Sequence, residues 1–261
     1  MTSGDARPPE RRPPNGSADR VLRILSAFRD AGGELGVTDL SQALDLDKSV
    51  VHRILGTLAA HHFLDRNPET RKYRVGLRAW EVGRRYTVRS WVDEAAVPLL
   101  ADLVSRTGGT AYVGSLDGSE IVYLATVDGA GPIRVHVDVG ARTSAHTTAL
   151  GRAILAALPD DDLATLLEQI DLPTRPNPKA GRTRSALLAE LEVTRERGYA
   201  INRGESRPGV GAVGAPVRDS RGTPVAALSV GFPMMPEYEQ LWEIVPPQLV
   251  RVAAEVTRRM G

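Results

Sequence analysis

The sequence predicts an α+β chain of two domains, and three observations predict it. Between Thr38 and Arg74, two short helical patterns separated by a tight break run into a basic β-hairpin. Beyond Thr107, runs with strand alternation and runs with helical spacing succeed one another to the carboxyl end. Charge divides along the same line. Residues 1–89 hold 16 Lys/Arg against 11 Asp/Glu and the remainder 17 against 21, so a net charge of +1 conceals a basic front and an acidic remainder. With 261 residues and 42% apolar side chains, the chain is too long for one small helical domain and rich enough for two cores.

Residues 1–17 place Pro8, Pro9, Pro13 and Pro14 among Arg7, Arg11 and Arg12. That composition has nothing to bury and predicts a disordered arm. A winged helix-turn-helix domain follows over residues 18–78. Its first helix, Asp19 to Ala31, carries Val21, Leu22, Ile24, Leu25 and Phe28 at helical spacing and stops at Gly32-Gly33. The hydroxyl of Thr38 is placed to cap a helix over Asp39–Leu44, and Asp47 to cap another over Lys48–His61.

In that last helix Val51, Ile54, Leu55 and Leu58 make one apolar face. Lys48, Ser49, Val50, His52, Arg53 and Thr57 are left, with Thr38, for a partner. A short polar face with two cations and no acid suits a helix that meets base edges and phosphates in the major groove of duplex DNA. Phe63–Arg66 and Arg71–Val75 read as strands joined by Asn67-Pro68-Glu69-Thr70, a wing whose Arg66, Arg71, Lys72 and Arg74 suit phosphate or minor-groove contact.

Leu77 to Thr107 is helical in character but contains Pro98, which predicts a linker helix over residues 79–93 and a new domain over 94–261. Trp80 and Tyr86, among Arg78, Arg84 and Arg85, fit a dimer contact, with a contact inside one chain as the alternative. Thr110–Leu116 and Glu120–Thr126 flank Asp117-Gly118 as a hairpin, and Ile133–Val137 continues the sheet. Helices are predicted over Thr147–Ala157, Asp160–Gln169 and Arg184–Arg197, the last closed by Gly198. Strands follow over Tyr199–Asn202, Val210–Arg218 and Pro224–Gly231, and a final helix over Tyr238–Arg259. The second domain is thus an antiparallel sheet with helices on its faces, a ligand-sensing layout.

Several classes are set aside by what the sequence lacks. It has no cysteine, hence no disulfide framework and no thiolate metal site. No run of eighteen apolar residues and no apolar leader after Met1 is present, which predicts a cytoplasmic protein with no membrane contact. His52, His61, His62, His136 and His146 match no metal-ligand spacing, and neither metal nor cofactor is expected. His146 is expected to make a structural hydrogen bond to backbone.

Gly209-Val210-Gly211-Ala212-Val213-Gly214 has the spacing of a dinucleotide motif. It runs into Pro216 and a β-type sequence instead of opening a helix, so close backbone approach around a pocket explains these glycines better. Gly204-Glu205-Ser206-Arg207-Pro208 lacks the second glycine of a nucleophile elbow. The chain is therefore read as not an enzyme. An enzyme of the second domain, and a sensor acting through protein partners, stay open as alternatives.

The blocks Asp19–Leu25, Ser49–Leu55, Ala145–Leu155, Gly198–Glu205, Gly209–Val217 and Val225–Val230 together resemble the IclR family of transcription regulators over roughly residues 18–260. The resemblance implies a winged helix-turn-helix joined by a linker helix to a GAF-like effector domain, in a dimer or a dimer of dimers. It implies binding to double-stranded operator DNA, modulated by a small metabolite, often a carboxylate. Carried over by position, the effector site comprises Ala149, Leu150, Asn202, Val210, Ala212, Ser229 and Gly231.

Elementary chemistry agrees with part of that set. Thr147 or Thr148 can cap a helix whose amides at Ala149 and Leu150 then face an anion at the positive end of the dipole, and Ser229 offers a hydroxyl. The chain departs from the family where Asn202 replaces a common Asp and Ala212 a larger or sulfur-bearing residue. Those departures imply a larger, more apolar pocket than one built for a very small polar acid.

Overall fold

The computed structural model describes residues 16–29, 31, 33–83, 91–129, 131, 135–170, 172 and 183–260. The arm expected over residues 1–17 and the middle of the linker helix expected over 79–93 lie largely outside the described residues. The chain divides into two compact units, Met1–Tyr86 and Thr87–Gly261.

In the first unit, α1 (Gly16–Ala27), α2 (Val37–Leu44) and α3 (Lys48–Ala60) precede a hairpin of β1 (Leu64–Arg66) and β2 (Tyr73–Val75), and α4 (Leu77–Gly83) follows. Ile24, Phe28, Leu40, Val51, Leu55, Leu58, Leu64 and Tyr73 form one core. Each such side chain contributes about 1.5–3 kcal/mol on leaving water, and this decides which face of α3 stays outside.

Two expected caps differ. α2 begins two residues earlier than capping by the Thr38 hydroxyl requires: Gly36 is its N-cap residue, the Asp39 carboxylate accepts from the Gly36 amide at 2.9 Å, and Thr38 is an exposed first-turn residue. Asp47 does hold the N-cap position of α3, but its side chain makes no capping hydrogen bond.

In the second unit a π-helical turn, Val92–Ala96, runs into α5 (Val97–Thr107). Pro98 sits in the first turn of α5, at its junction with the π-helical turn, so the helical run continues past it. The sheet comprises β3 (Thr110–Asp117), β4 (Glu120–Val127), β5 (Arg142–Ser144), β6 (Ala200–Arg203), β7 (Val210–Arg218) and β8 (Pro224–Pro233). Its order is β5-β4-β3-β8-β7-β6 and every neighbouring pair is antiparallel. Helices α6 (Ala149–Ala157), α7 (Asp160–Leu167), α8 (Arg184–Arg197) and α9 (Leu241–Met260) complete it.

The pleat sorts side chains into two cores. Ala111 and Val113 join Val213, Ala215, Leu228 and Val230 against α5 and α9. Tyr112 and Ala227, with the opposite parity in their strands, and Tyr123, turned to that face by the irregularity in β4 opposite Val113 and Gly114, join Ile154, Leu155, Leu187 and Leu191 of α6 and α8.

One expected strand is absent among the described residues. Val135–Val137 does not continue the sheet; Arg142–Ser144 is the edge, paired with Glu120–Val122. The carbonyls that a strand would offer are taken by hydroxyls: Tyr112 donates to Val135 and Thr126 to Val137.

Candidate functional site

Two surfaces collect the residues singled out above. The first is α3 with its wing. Val51, Leu55 and Leu58 bury one face of α3, while Lys48, Ser49, His52, Arg53 and Thr57 are exposed and Val50 is half-buried. The Thr57 hydroxyl donates to the Arg53 carbonyl at 3.0 Å. The break before α3 is rigid because Asp45 is left-handed at φ 51°, its N–H bonds the Ser41 carbonyl, and the Ser41 hydroxyl reaches the Leu46 carbonyl at 2.7 Å. Arg23 of α1 donates to the last carbonyl of α2, Leu44, at 2.8 Å.

The wing is shaped by one carboxylate. Glu34 receives Nδ2 of Asn67 at 2.7 Å and the Thr70 hydroxyl at 2.6 Å, and the Thr70 bond, with that of Asn67, holds the Glu34 carboxyl below its usual range. Among the wing cations Lys72 pairs with Asp39 at 3.3 Å, which ties the hairpin to α2. Arg74 stands 4.0 Å from Asp65, and Arg66 lies over the Tyr73 ring at 5.9 Å. Arg71 is exposed at a left-handed φ of 58° and has no ion pair among the described residues.

The second surface is a cavity of about 260 Å³ between the sheet and the start of α6. Thr148 is the N-cap: its hydroxyl accepts from the Gly151 amide at 2.9 Å. The next two residues, Ala149 and Leu150, line the cavity, and first-turn amides have no partner within their own helix. The helix start can lie so close to the sheet because Gly214 has no side chain; a Cβ there would stand 2.4 Å from the Ala149 carbonyl oxygen. The other glycines of that run do not serve this purpose. Gly211 makes room for the Trp242 ring, and a Cβ on Gly209 would meet nothing within 4 Å.

Of the seven residues carried over from the family, Ala149, Leu150, Val210, Ala212, Ser229 and Gly231 line this cavity and Asn202 does not. Asn202 is buried with its amide spent locally: Nδ2 donates to the Thr147 carbonyl and Oδ1 accepts from Gly204 at 2.9 Å.

Sequence reasoning missed Tyr112, Tyr123, Arg142 and Arg207, which also line it. The tyrosine rings meet edge to face at 5.6 Å, and burial, the largest cause, raises the pKa of both phenols. Strand alternation puts each tyrosine on one face of its own strand. Naming that face as the cavity face required knowing where α6 packs.

Among the described residues the lining contains no carboxylate. Arg142 is held in a double ion pair, 2.7 Å to Glu120 and 2.6 Å to Asp117. Nearby, wholly buried Arg152 pairs with Glu205 at 3.2 Å. Nδ1 of His146 is buried with no hydrogen-bond partner, contrary to the backbone bond expected for it, and burial followed by the Arg152 charge lowers its pKa.

The profile described as "Bacterial transcriptional regulator IclR C-terminal" matches residues 84–256, and "IclR helix-turn-helix domain" matches residues 17–68. The chain is 36% identical to the HTH-type transcriptional regulator XynR of Escherichia coli over 82% of its own length and 84% of that protein's. It is 32% identical to the HTH-type transcriptional regulator BhcR of Paracoccus denitrificans, over 93% of its length and 86% of that protein's. The crystal structure of Thermotoga maritima IclR superposes with a TM-score of 0.71 at 27% identity, covering 94% of this chain and 99% of that one. A helix-turn-helix with a basic wing, followed by a matching effector domain, makes this chain a member of the IclR family of DNA-binding transcriptional regulators.

Proposed function

We propose that this regulator reads double-stranded operator DNA through Lys48, Ser49, Val50, His52, Arg53 and Thr57 of α3, with Thr38 and the wing cations Arg66, Arg71, Lys72 and Arg74 on the flanking backbone. The observation that carries this is the two-sidedness of α3. Its apolar residues are consumed by the core, and its exposed face carries two cations and no acid.

Residues 18–78 form the reading domain of this proposal, 79–93 the linker helix and 94–261 the effector domain. The effector is a small carboxylate held at the start of α6, supported by a lining that among the described residues has arginine but no acid. Asn202 acts in that site from behind, fixing the Thr147 carbonyl and the turn at Gly204. Ligand contact biases the arrangement of the two reading helices in a cytoplasmic homodimer or dimer of dimers, a coupling of about 1–3 kcal/mol. Exposed Leu22, Leu77, Trp80 and Val82 support association through the first unit.

Footprinting of fragments selected from the organism's own genome tests this reading. Protection of two half-sites about one helical turn apart, lost in Arg53→Ala and altered by a metabolite, is the expected result. Selection of no fragment by wild type above the level of Arg53→Ala would refute it.

A further inference from the structure

Resting on the reading of the cavity as a carboxylate effector site, we infer that Arg207 supplies the formal charge that recognises the ligand, and that Arg142, the other arginine of the lining, is a structural residue. Charge accounting separates the two. Asp117 and Glu120 both lie within 2.7 Å of the Arg142 guanidinium, so two anions already neutralise it and restrict its geometry. Arg207 lines the same cavity, is exposed, and has no ion pair among the described residues.

Its loop is built to present it. Residues 204–209 are bracketed by Gly204 and Gly209, both left-handed at φ 92° and 77°. The single acid between them, Glu205, is drawn to buried Arg152 of α6, which leaves Arg207 as the surplus charge of the loop. That pair and the Asn202–Thr147 hydrogen bond fasten the loop to the start of α6. The charge of Arg207 is felt inside the cavity, where it opposes the effect of burial on the Tyr112 and Tyr123 phenols.

The α6 amides orient an acceptor oxygen but carry only partial charge, so they serve a neutral amide nearly as well as an acid. Arg207 is what separates the two: its fork matches a carboxylate and finds one donor-bearing edge too many in a carboxamide. The occupant is accordingly an anionic carboxylate whose body lies against the tyrosine edges, and its carboxamide is rejected.

Thermal shift of the full chain at pH 7.5 tests this with benzoate, 4-hydroxybenzoate, phenylacetate, hexanoate and gluconate, each beside its primary amide. The expected result is that at least one acid raises Tm of wild type while its amide is silent. That acid should need at least tenfold more concentration in Arg207→Gln, with partial recovery in Arg207→Lys. Arg142→Lys should keep the wild-type concentration dependence even if its unliganded Tm falls. Equal response of wild type and Arg207→Gln, or of acid and amide, overturns the role of Arg207 and leaves the cavity an effector site. Silence of the wild type towards the whole panel overturns the carboxylate reading of the cavity, and the inference with it.

Discussion

The two units handle positive charge in opposite ways. On α3, Lys48 and Arg53 stand exposed on a helix whose other face is closed by Val51, Leu55 and Leu58. Around the cavity, two arginines are bound, Arg152 to Glu205 and Arg142 to Asp117 and Glu120, while Arg207 is exposed without an ion pair among the described residues. A polyanion needs many solvated cations whose counterions it can displace. A small acid needs one or two, held in a site whose remaining charges are already cancelled. On the proposed reading, the cations of α3 and the wing act by number and position, whereas those of the cavity act by which of them is left over.

Arg53→Ala attacks this contrast most severely on the exposed side. A lost base contact costs about 1–3 kcal/mol, doubled in a dimer that engages two half-sites. Specific operator affinity should fall at least about thirtyfold by fluorescence anisotropy, with ligand affinity in the cavity unchanged by calorimetry.

On the enclosed side, Glu205→Gln leaves the guanidinium of Arg152 buried beside a neutral amide. We expect a loss of about 3 kcal/mol in urea unfolding of the full chain, the low end of what breaking a buried pair costs because Glu205 itself is partly exposed. Gly214→Ala forces a methyl towards the Ala149 carbonyl and should cost about 1–3 kcal/mol by the same measurement, with the ligand response lost first.

Lys72→Ala should be milder. On the proposed reading it removes one phosphate contact as well as the tie to Asp39, and should weaken binding to all sequences alike and reduce the slope of log K against log salt by about one. Arg71→Ala should do the same without touching that tie.

The smallest effect concerns acid. The folded pKa of His146 lies below its unfolded value, so the unfolded chain takes up the proton first. The contribution of this group is fully present above the ordinary histidine range and is lost as pH falls through it, at most about 1.4 kcal/mol per pH unit. In His146→Gln the decline of stability between about pH 7 and pH 5.5 should be shallower.

What was legible in the sequence follows the same division. The reading surface depends on residues three and four apart in one helix, so apolar spacing alone located α3 and its free face. Its caps were less legible, because Gly36 offers no side chain to mark the start of α2, and Asp39 performs the capping from inside the helix.

The cavity is assembled from β3, β4, β5 with the segment before it, β7, β8, α6 and the loop after β6, elements up to 119 residues apart between Tyr112 and Gly231. Family resemblance supplied six of its lining residues; strand parity could put Tyr112 on one face of its strand but could not say that this face meets α6. Neither pointed to Arg207, whose significance appears only once Arg142 is seen with both its acids. Asn202 stands outside the lining for a related reason: it lies in the expected strand, but its buried amide is claimed by backbone within reach.

The central claim is that α3 and its wing grip duplex DNA by sequence while the cavity sets how firmly. Its most direct test is anisotropy of the full chain on its own promoter fragment and on a scrambled duplex, at low and physiological salt, with and without an acid that raises Tm. A clear preference for the promoter that persists as salt rises, and shifts about five- to a hundredfold with the acid, is predicted. Equal affinity for both duplexes under all four conditions would contradict the account.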